Sequence, residues 1–117
     1  MPGQHARGNI WEVNLEPVIG SEKRGLRRPC VIVQNDIGNK YSPLVIVAVI
    51  TDASNAKKLF PVHVYVEKGK GGLILDSVVQ CEQIRTVDKA RLVKHLGRLP
   101  TGTMARVDTA LKISLQL

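Results

Sequence analysis

The hydrophobic pattern of this chain is that of β-strands for most of its length. Leu44-Val45-Ile46-Val47-Ala48-Val49-Ile50 is apolar throughout, which predicts a central strand that ends at Thr51. Cys30-Val31-Ile32-Val33 is a second apolar run, opening behind Pro29. A proline disfavours helix in the residue before it, so Arg28 is expected to be extended, at the mouth of this strand. Val62-His63-Val64-Tyr65-Val66 alternates, with the valines on one face and His63 and Tyr65 on the other. Ile10 to Leu15 reads as a first strand ended by Pro17, and Ser77 to Ile84 as a further one. Between them lie a turn-rich cluster at Asn35–Asn39, a polar loop at Asp52–Lys58 and a hairpin turn at Lys68–Gly72. The last third changes period. Asp88 to Leu96 predicts a short helix. Pro100-Thr101 opens a second, with Thr101 as N-cap and Met104, Val107, Leu111 and Ile113 or Leu115 near helical spacing. Residues 1–7 read as a frayed tail. The expected fold is mainly β (α+β): a small antiparallel barrel or strongly curved sheet closed by a C-terminal helix, in a single domain spanning 1–117.

Composition adds how such a sheet is stabilised. Apolar residues make up 44% of the chain but aromatics only 3%, so Val, Ile and Leu must build the core. Trp11, Phe60, Tyr41 and Tyr65 are too few for a broad base-stacking platform. Cys30 and Cys81 sit in apolar, strand-like surroundings without CxxC spacing and read as small buried hydrophobes, with a reducing cytoplasm as the expected setting. The first residues lack the apolar stretch of a signal peptide, and the run from Leu44 to Ile50 is far too short to span a membrane.

Charge points to a partner. The net charge is +7, and Lys23, Arg24, Arg27 and Arg28 place four cations in one short loop that runs straight into a strand. Clustered charge of this kind attracts phosphate backbones. Arg28 differs from the others because Pro29 fixes its backbone. Thr51 lies where the neighbouring central strand emerges into a polar loop. If those strands pair suitably, guanidinium and hydroxyl face one pocket and can stabilise the charge of a phosphorane. The bland alternative is a solvated charge run beside an ordinary strand-end threonine.

Other chemistries find less support. Asp36, Asp52, Asp76 and Glu82 are scattered without the carboxylate clustering of a two-metal nuclease. His5, His63 and His95 form no metal motif and read as a tail residue and two rim residues rather than an acid–base pair. Gly69-Lys70-Gly71-Gly72 lacks the spacing of a phosphate loop. No metal and no cofactor are expected.

Several segments, taken in order, resemble one family. They are Ile10 to Glu22, Arg28-Pro29-Cys30-Val31-Ile32-Val33-Gln34-Asn35-Asp36, Val47 to Thr51, Pro61 to Val64, Asp76 to Lys89 and Val107 to Leu115. Together they resemble the MazF/PemK/Kid toxins, endoribonucleases of bacterial toxin–antitoxin systems. The resemblance implies an SH3-like barrel of curved antiparallel strands, a homodimer, and metal-independent cleavage of single-stranded RNA by its own 2′-hydroxyl, leaving a 2′,3′-cyclic phosphate and a 5′-hydroxyl. The family's catalytic Arg falls on Arg28 and its catalytic Thr on Thr51. Ser21, Glu22, Phe60, Ser77 and Gln83 fall where related toxins line the RNA groove. Asn9 stands where many relatives carry Asp. The basic loop is one residue longer than in close relatives, with Lys23, Arg24 and Arg27 adding charge to attract the backbone, which implies steep salt dependence.

Two other readings compete with the nuclease: a toxin of the same fold that binds DNA gyrase without cutting RNA, and a plain basic RNA-binding barrel. The pairing of Arg28 with Thr51 favours the nuclease. An acidic antitoxin segment that competes with RNA is the expected protein partner.

Overall fold

The run from Leu44 to Ile50 lies at the heart of the sheet because both of its faces are covered. In the computed structural model, which describes residues 3–56 and 58–117, it belongs to strand β3, Leu44–Asp52, where Val45 and Val47 to Ile50 are fully buried. The other strands are β1 (Asn9–Val13), β2 (Arg28–Ile32), β4 (His63–Val66), β5 (Ser77–Asp88) and β6 (Leu92–Arg98). They form one antiparallel sheet in the order β4-β5-β3-β2-β1-β6. Its two edges, β4 and β6, do not pair with each other, so the sheet is curved and open rather than a closed barrel.

Two apolar clusters cover the two faces. One joins Ile10, Val31, Ala48, Ile50, Val79 and Cys81 to the C-terminal helix α2, Thr101–Leu115. The other joins Val13, Cys30, Ile32, Val47, Val49 and Val87 to Leu15 and Val18 of the β1–β2 connection. Both cysteines are free and lie in different clusters.

β5 is irregular where it matters. Its pairing with β3 jumps from Ala48↔Ile84 to Val49↔Gln80, leaving Cys81, Glu82 and Gln83 in a bulge. Bulges bend a strand and re-aim its side chains.

Several details depart from the sequence expectations. Asp88 to Leu96 is not a helix. β5 continues to Asp88, a 3-10 turn spans Lys89–Arg91, and the rest opens β6. As an edge strand with two bulges against β1, β6 lacks clean alternation, and its apolar spacing imitates a helix. Within Asn35–Asn39 a short helix α1 begins, Asp36–Tyr41, capped by the Asn35 side chain, which accepts from the Gly38 amide. In α2 the cap position falls on Pro100 without a side-chain bond, and Thr101 is the first helical residue. Thr103, Val107 and Ala110 are its buried residues, with Met104 and Leu111 half-buried, while Ile113 and Leu115 face solvent. The described part of the N-terminal segment, residues 3–7, is docked rather than frayed. Ala6 is buried, the Arg7 amide donates to Asp36, and the Arg7 guanidinium reaches the Val33 carbonyl and Asp108. Residues 1–2 lie outside the described part.

Candidate active site

Pro29 sets Arg28 in extended backbone, and β2 begins on that residue, opposite Val13 of β1. β2 and β3 pair Cys30 with Val49. Continuing that register by two residues brings Arg28 opposite Thr51, which in turn pairs with Val78 of β5. Residues directly opposite in an antiparallel pair point to the same face. The two chemical groups singled out in the sequence are therefore neighbours by register, and both line one cavity of about 530 Å³.

The electrostatics of this cavity are unusual for a protein interior. The Arg28 Nε is buried and has no hydrogen-bond partner among the described residues. Buried polar groups are nearly always paired, and an unpaired guanidinium nitrogen beside a cavity is poised for an anionic ligand. Thr51 is 1% exposed. Among the described residues its Oγ1 accepts only a long bond from Asn55 Nδ2, at 3.4 Å, leaving the hydroxyl hydrogen to donate elsewhere. Ser77 also lines the cavity, but its hydroxyl donates to the Leu75 carbonyl at 2.8 Å and so holds the wall.

That wall is the stretch Gly72–Leu75 of the β4–β5 connection, which no sequence motif links to the site. It can approach because two glycines meet: a Cβ on Gly72 would lie 2.0 Å from the Leu96 carbonyl oxygen, and one on Gly97 2.6 Å from that of Gly71. The Gly-Gly pair was the available signal, but a turn explains such a pair equally well. Glu12 and Lys94, which also line the cavity, face each other across β1 and β6.

The basic loop stands beside the cavity with a fixed neck. Leu15 N donates to Gly25 O and Gly25 N to a Glu16 carboxylate oxygen, at 2.9 and 2.8 Å. Arg85 donates to the Leu15 carbonyl, and Arg91 to those of Asn14 and Glu16. Beyond the neck, Ser21 and Arg24 are exposed, and the Glu22 carboxylate accepts from the Ile19 amide. The Lys23 amide donates to Gln83 Oε1, in the β5 bulge, at 3.4 Å. Arg27 pairs with Glu12 at 2.7 Å, at the cavity rim.

Phe60 stands apart. It does not line the cavity, is 53% exposed, and packs edge-on against His63 with Lys58 over its ring. The structure thus brings together Arg28, Thr51 and Ser77, joins Lys23 to Gln83, and leaves Ser21, Glu22, Arg24 and Phe60 on the surrounding surface.

His5 stacks on Trp11 and His95 meets it edge-on, each with ring centroids 5.3 Å from it, and neither lines the cavity. Burial first, then the charge of Lys89, lowers the His5 pKa. Burial pushes the Cys30 thiol up to about 12 and Cys81 up to about 11. Among the described residues no group of three His, Cys, Asp or Glu is placed to hold a metal ion. No helix among them is long and apolar enough to cross a membrane.

Fold and cavity together define a mainly β protein with a cleft at the end of its central strands, where the buried Nε of Arg28 meets the Thr51 hydroxyl beside a basic loop. The chain belongs to the family of PemK-like, MazF-like toxins of type II toxin–antitoxin systems, whose pattern matches residues 6–115. It is 55% identical over 111 residues to the Endoribonuclease MazF of Staphylococcus epidermidis, covering 95% of this chain and 91% of that protein. Among solved structures it is similar to MazF from Deinococcus radiodurans, with a TM-score of 0.77 and 25% identity over 96% of both chains. An endoribonuclease in complex with its cognate antitoxin from a mycobacterial species shares the fold, with a TM-score of 0.78 and 24% identity over 96% of this chain and 95% of that one.

Proposed function

We propose that this endoribonuclease toxin cuts single-stranded RNA at the Arg28–Thr51 cavity, without a metal, using the RNA's own 2′-hydroxyl. The observation that carries the reading is the buried, unpartnered Nε of Arg28 in a cavity shared with the Thr51 hydroxyl. The 2′-oxygen attacks phosphorus and loses its proton as the new P–O bond forms. The bond to the 5′-oxygen breaks, and that oxygen takes up a proton. The products are a 2′,3′-cyclic phosphate and a 5′-hydroxyl. Arg28 stabilises the charge on the phosphorane oxygens and serves in proton transfer. Thr51 donates to one of those oxygens and fixes the phosphate.

Lys23, Arg24 and Arg27 draw in the RNA backbone, while Ser21, Glu22, Phe60, Ser77 and Gln83 line the path of the bases, which single strands leave open to side chains. The enzyme works as a homodimer in the cytoplasm. An antitoxin with an acidic segment restrains it, as charge complementarity to a chain of net charge +7 favours.

The test uses purified protein and RNA in excess EDTA. Wild type is expected to give discrete fragments with cyclic-phosphate ends. Arg28→Ala should stay folded and bind RNA but lose cleavage by about 100-fold or more, the scale of removing one charge-stabilising donor. Undiminished cleavage by that variant refutes the assignment.

A further inference from the structure

The cavity accounts for the scissile phosphate but not for His63, whose side chain is only 7% exposed and whose two ring nitrogens are both engaged. The Phe60 amide donates to His63 Nδ1 at 3.1 Å, so Nδ1 carries the lone pair. The proton is then on Nε2, which donates to Glu82 Oε2 at 2.7 Å. The backbone closes the same unit: His63 N donates to Phe60 O at 2.9 Å, and Cys81 N to Val62 O at 3.0 Å. The imidazole also packs edge-on against the Phe60 ring, with centroids 5.6 Å apart.

Glu82 gives the arrangement its direction. It sits in the β5 bulge beside Gln83, whose side chain accepts from Lys23 of the basic loop. One irregularity in β5 therefore holds two segments at once: the basic loop through Gln83, and the segment before β4 through Glu82 and His63. Strand pairing also puts His63 opposite Gln80, which is opposite Val49. His63 thus shares the sheet face that carries Arg28 and Thr51.

We infer that His63 is a positioning residue for RNA binding: bridged between Glu82 and the Phe60 amide, it holds the Phe60 ring ready to stack on a base of the substrate. Phe60 is half exposed, and without this clamp its ring must be ordered at the moment of binding. Ordering it beforehand strengthens binding without touching the chemical step. The inference rests on the proposed groove, in which Phe60 meets RNA.

The experiment compares Phe60→Ala, His63→Ala, the double variant and His63→Asn, using a short RNA with 2-aminopurine as fluorescent base and separate kcat and KM. Phe60→Ala is expected to raise KM about 10-fold, the scale of one lost base stack. His63→Ala should raise KM about 3- to 10-fold with kcat within about twofold, and should weaken quenching of the 2-aminopurine. The double variant should be no worse than Phe60→Ala. His63→Asn offers Oδ1 to the Phe60 amide in place of Nδ1 and should recover most of the loss, which a purely structural role would not predict.

If Phe60→Ala leaves KM unchanged, the groove reading fails and this inference with it. If Phe60→Ala weakens binding but His63→Ala does not, or if the two losses multiply, only the positioning role is overturned. A fall in kcat alone for His63→Ala also overturns it. Thermal melts identify a variant that has merely unfolded, in which case His63→Asn decides between the outcomes.

Discussion

Gly72→Ala tests whether the cavity wall depends on close backbone approach. The added methyl would lie 2.0 Å from the Leu96 carbonyl oxygen and 2.7 Å from its carbon, where real contacts stay at 3.0 Å or more. Leu96 lies in β6, which is paired to β1, so the obstacle is backbone that a rotamer change cannot clear. The loop must therefore retreat by at least about 1 Å, taking the buried Leu73 partly out of its cluster. Gly72 also has φ 79, a region that disfavours side chains by about 1–2 kcal/mol. With overpacking of about 1–3 kcal/mol, the expected loss is roughly 2–5 kcal/mol, a large share of a small domain's stability.

Gly69 supplies the control. Its φ is 91, yet none of the described residues lies within 4 Å of the position its Cβ would take, so Gly69→Ala should lose only about 1–2 kcal/mol. Urea unfolding with unchanged m-values measures both. Because Gly72–Leu75 lines the cavity, cleavage per folded Gly72→Ala molecule should also fall about 10-fold or more, whereas Gly69→Ala should cut normally. Equal stability losses in the two variants would refute the argument.

Acidification should loosen the N-terminal segment. The folded-state pKa of His5 lies below its ordinary 6.5, so its contribution to docking is present above that value and is lost as pH falls through the folded value. Trp11 is the sole tryptophan and stacks on His5, so its fluorescence should change in that window, and His5→Ala should abolish most of the change. With pKa values pushed up to about 12 and about 11, Cys30 and Cys81 should react with a thiol reagent at pH 8 only on unfolding; fast labelling of the native protein would contradict their burial.

What the sequence disclosed depended on how local each signal was. β2 and β3 were legible because long apolar runs are bounded by Pro29 and by Thr51 with its polar loop, and those same boundaries marked Arg28 and Thr51. α1 was hidden because six residues are too few to show a period, and Gly38 within it reads as a turn. β6 was mistaken for a helix because bulges against β1 break its alternation. The cavity wall was invisible because it depends on Gly72 meeting Leu96 from a distant strand. The bond between Phe60 and His63 is local in sequence, but its purpose appears only once Glu82 arrives from β5.

The bulge in β5 also reverses the strand's phase. Val79 and Val87 have the same parity along the chain, yet they enter opposite apolar clusters, because the interposed residues 81–83 switch which face odd positions occupy. Adding or removing one residue there would turn half of β5 inside out, sending Val87 or Val79 towards the wrong core. Exchanging Glu82 or Gln83 for another residue leaves that count intact. The segment that touches both loops beside the cleft is therefore fixed in length, whereas a substitution at Glu82 or Gln83 alters only the bond that side chain makes to His63 or to the Lys23 amide.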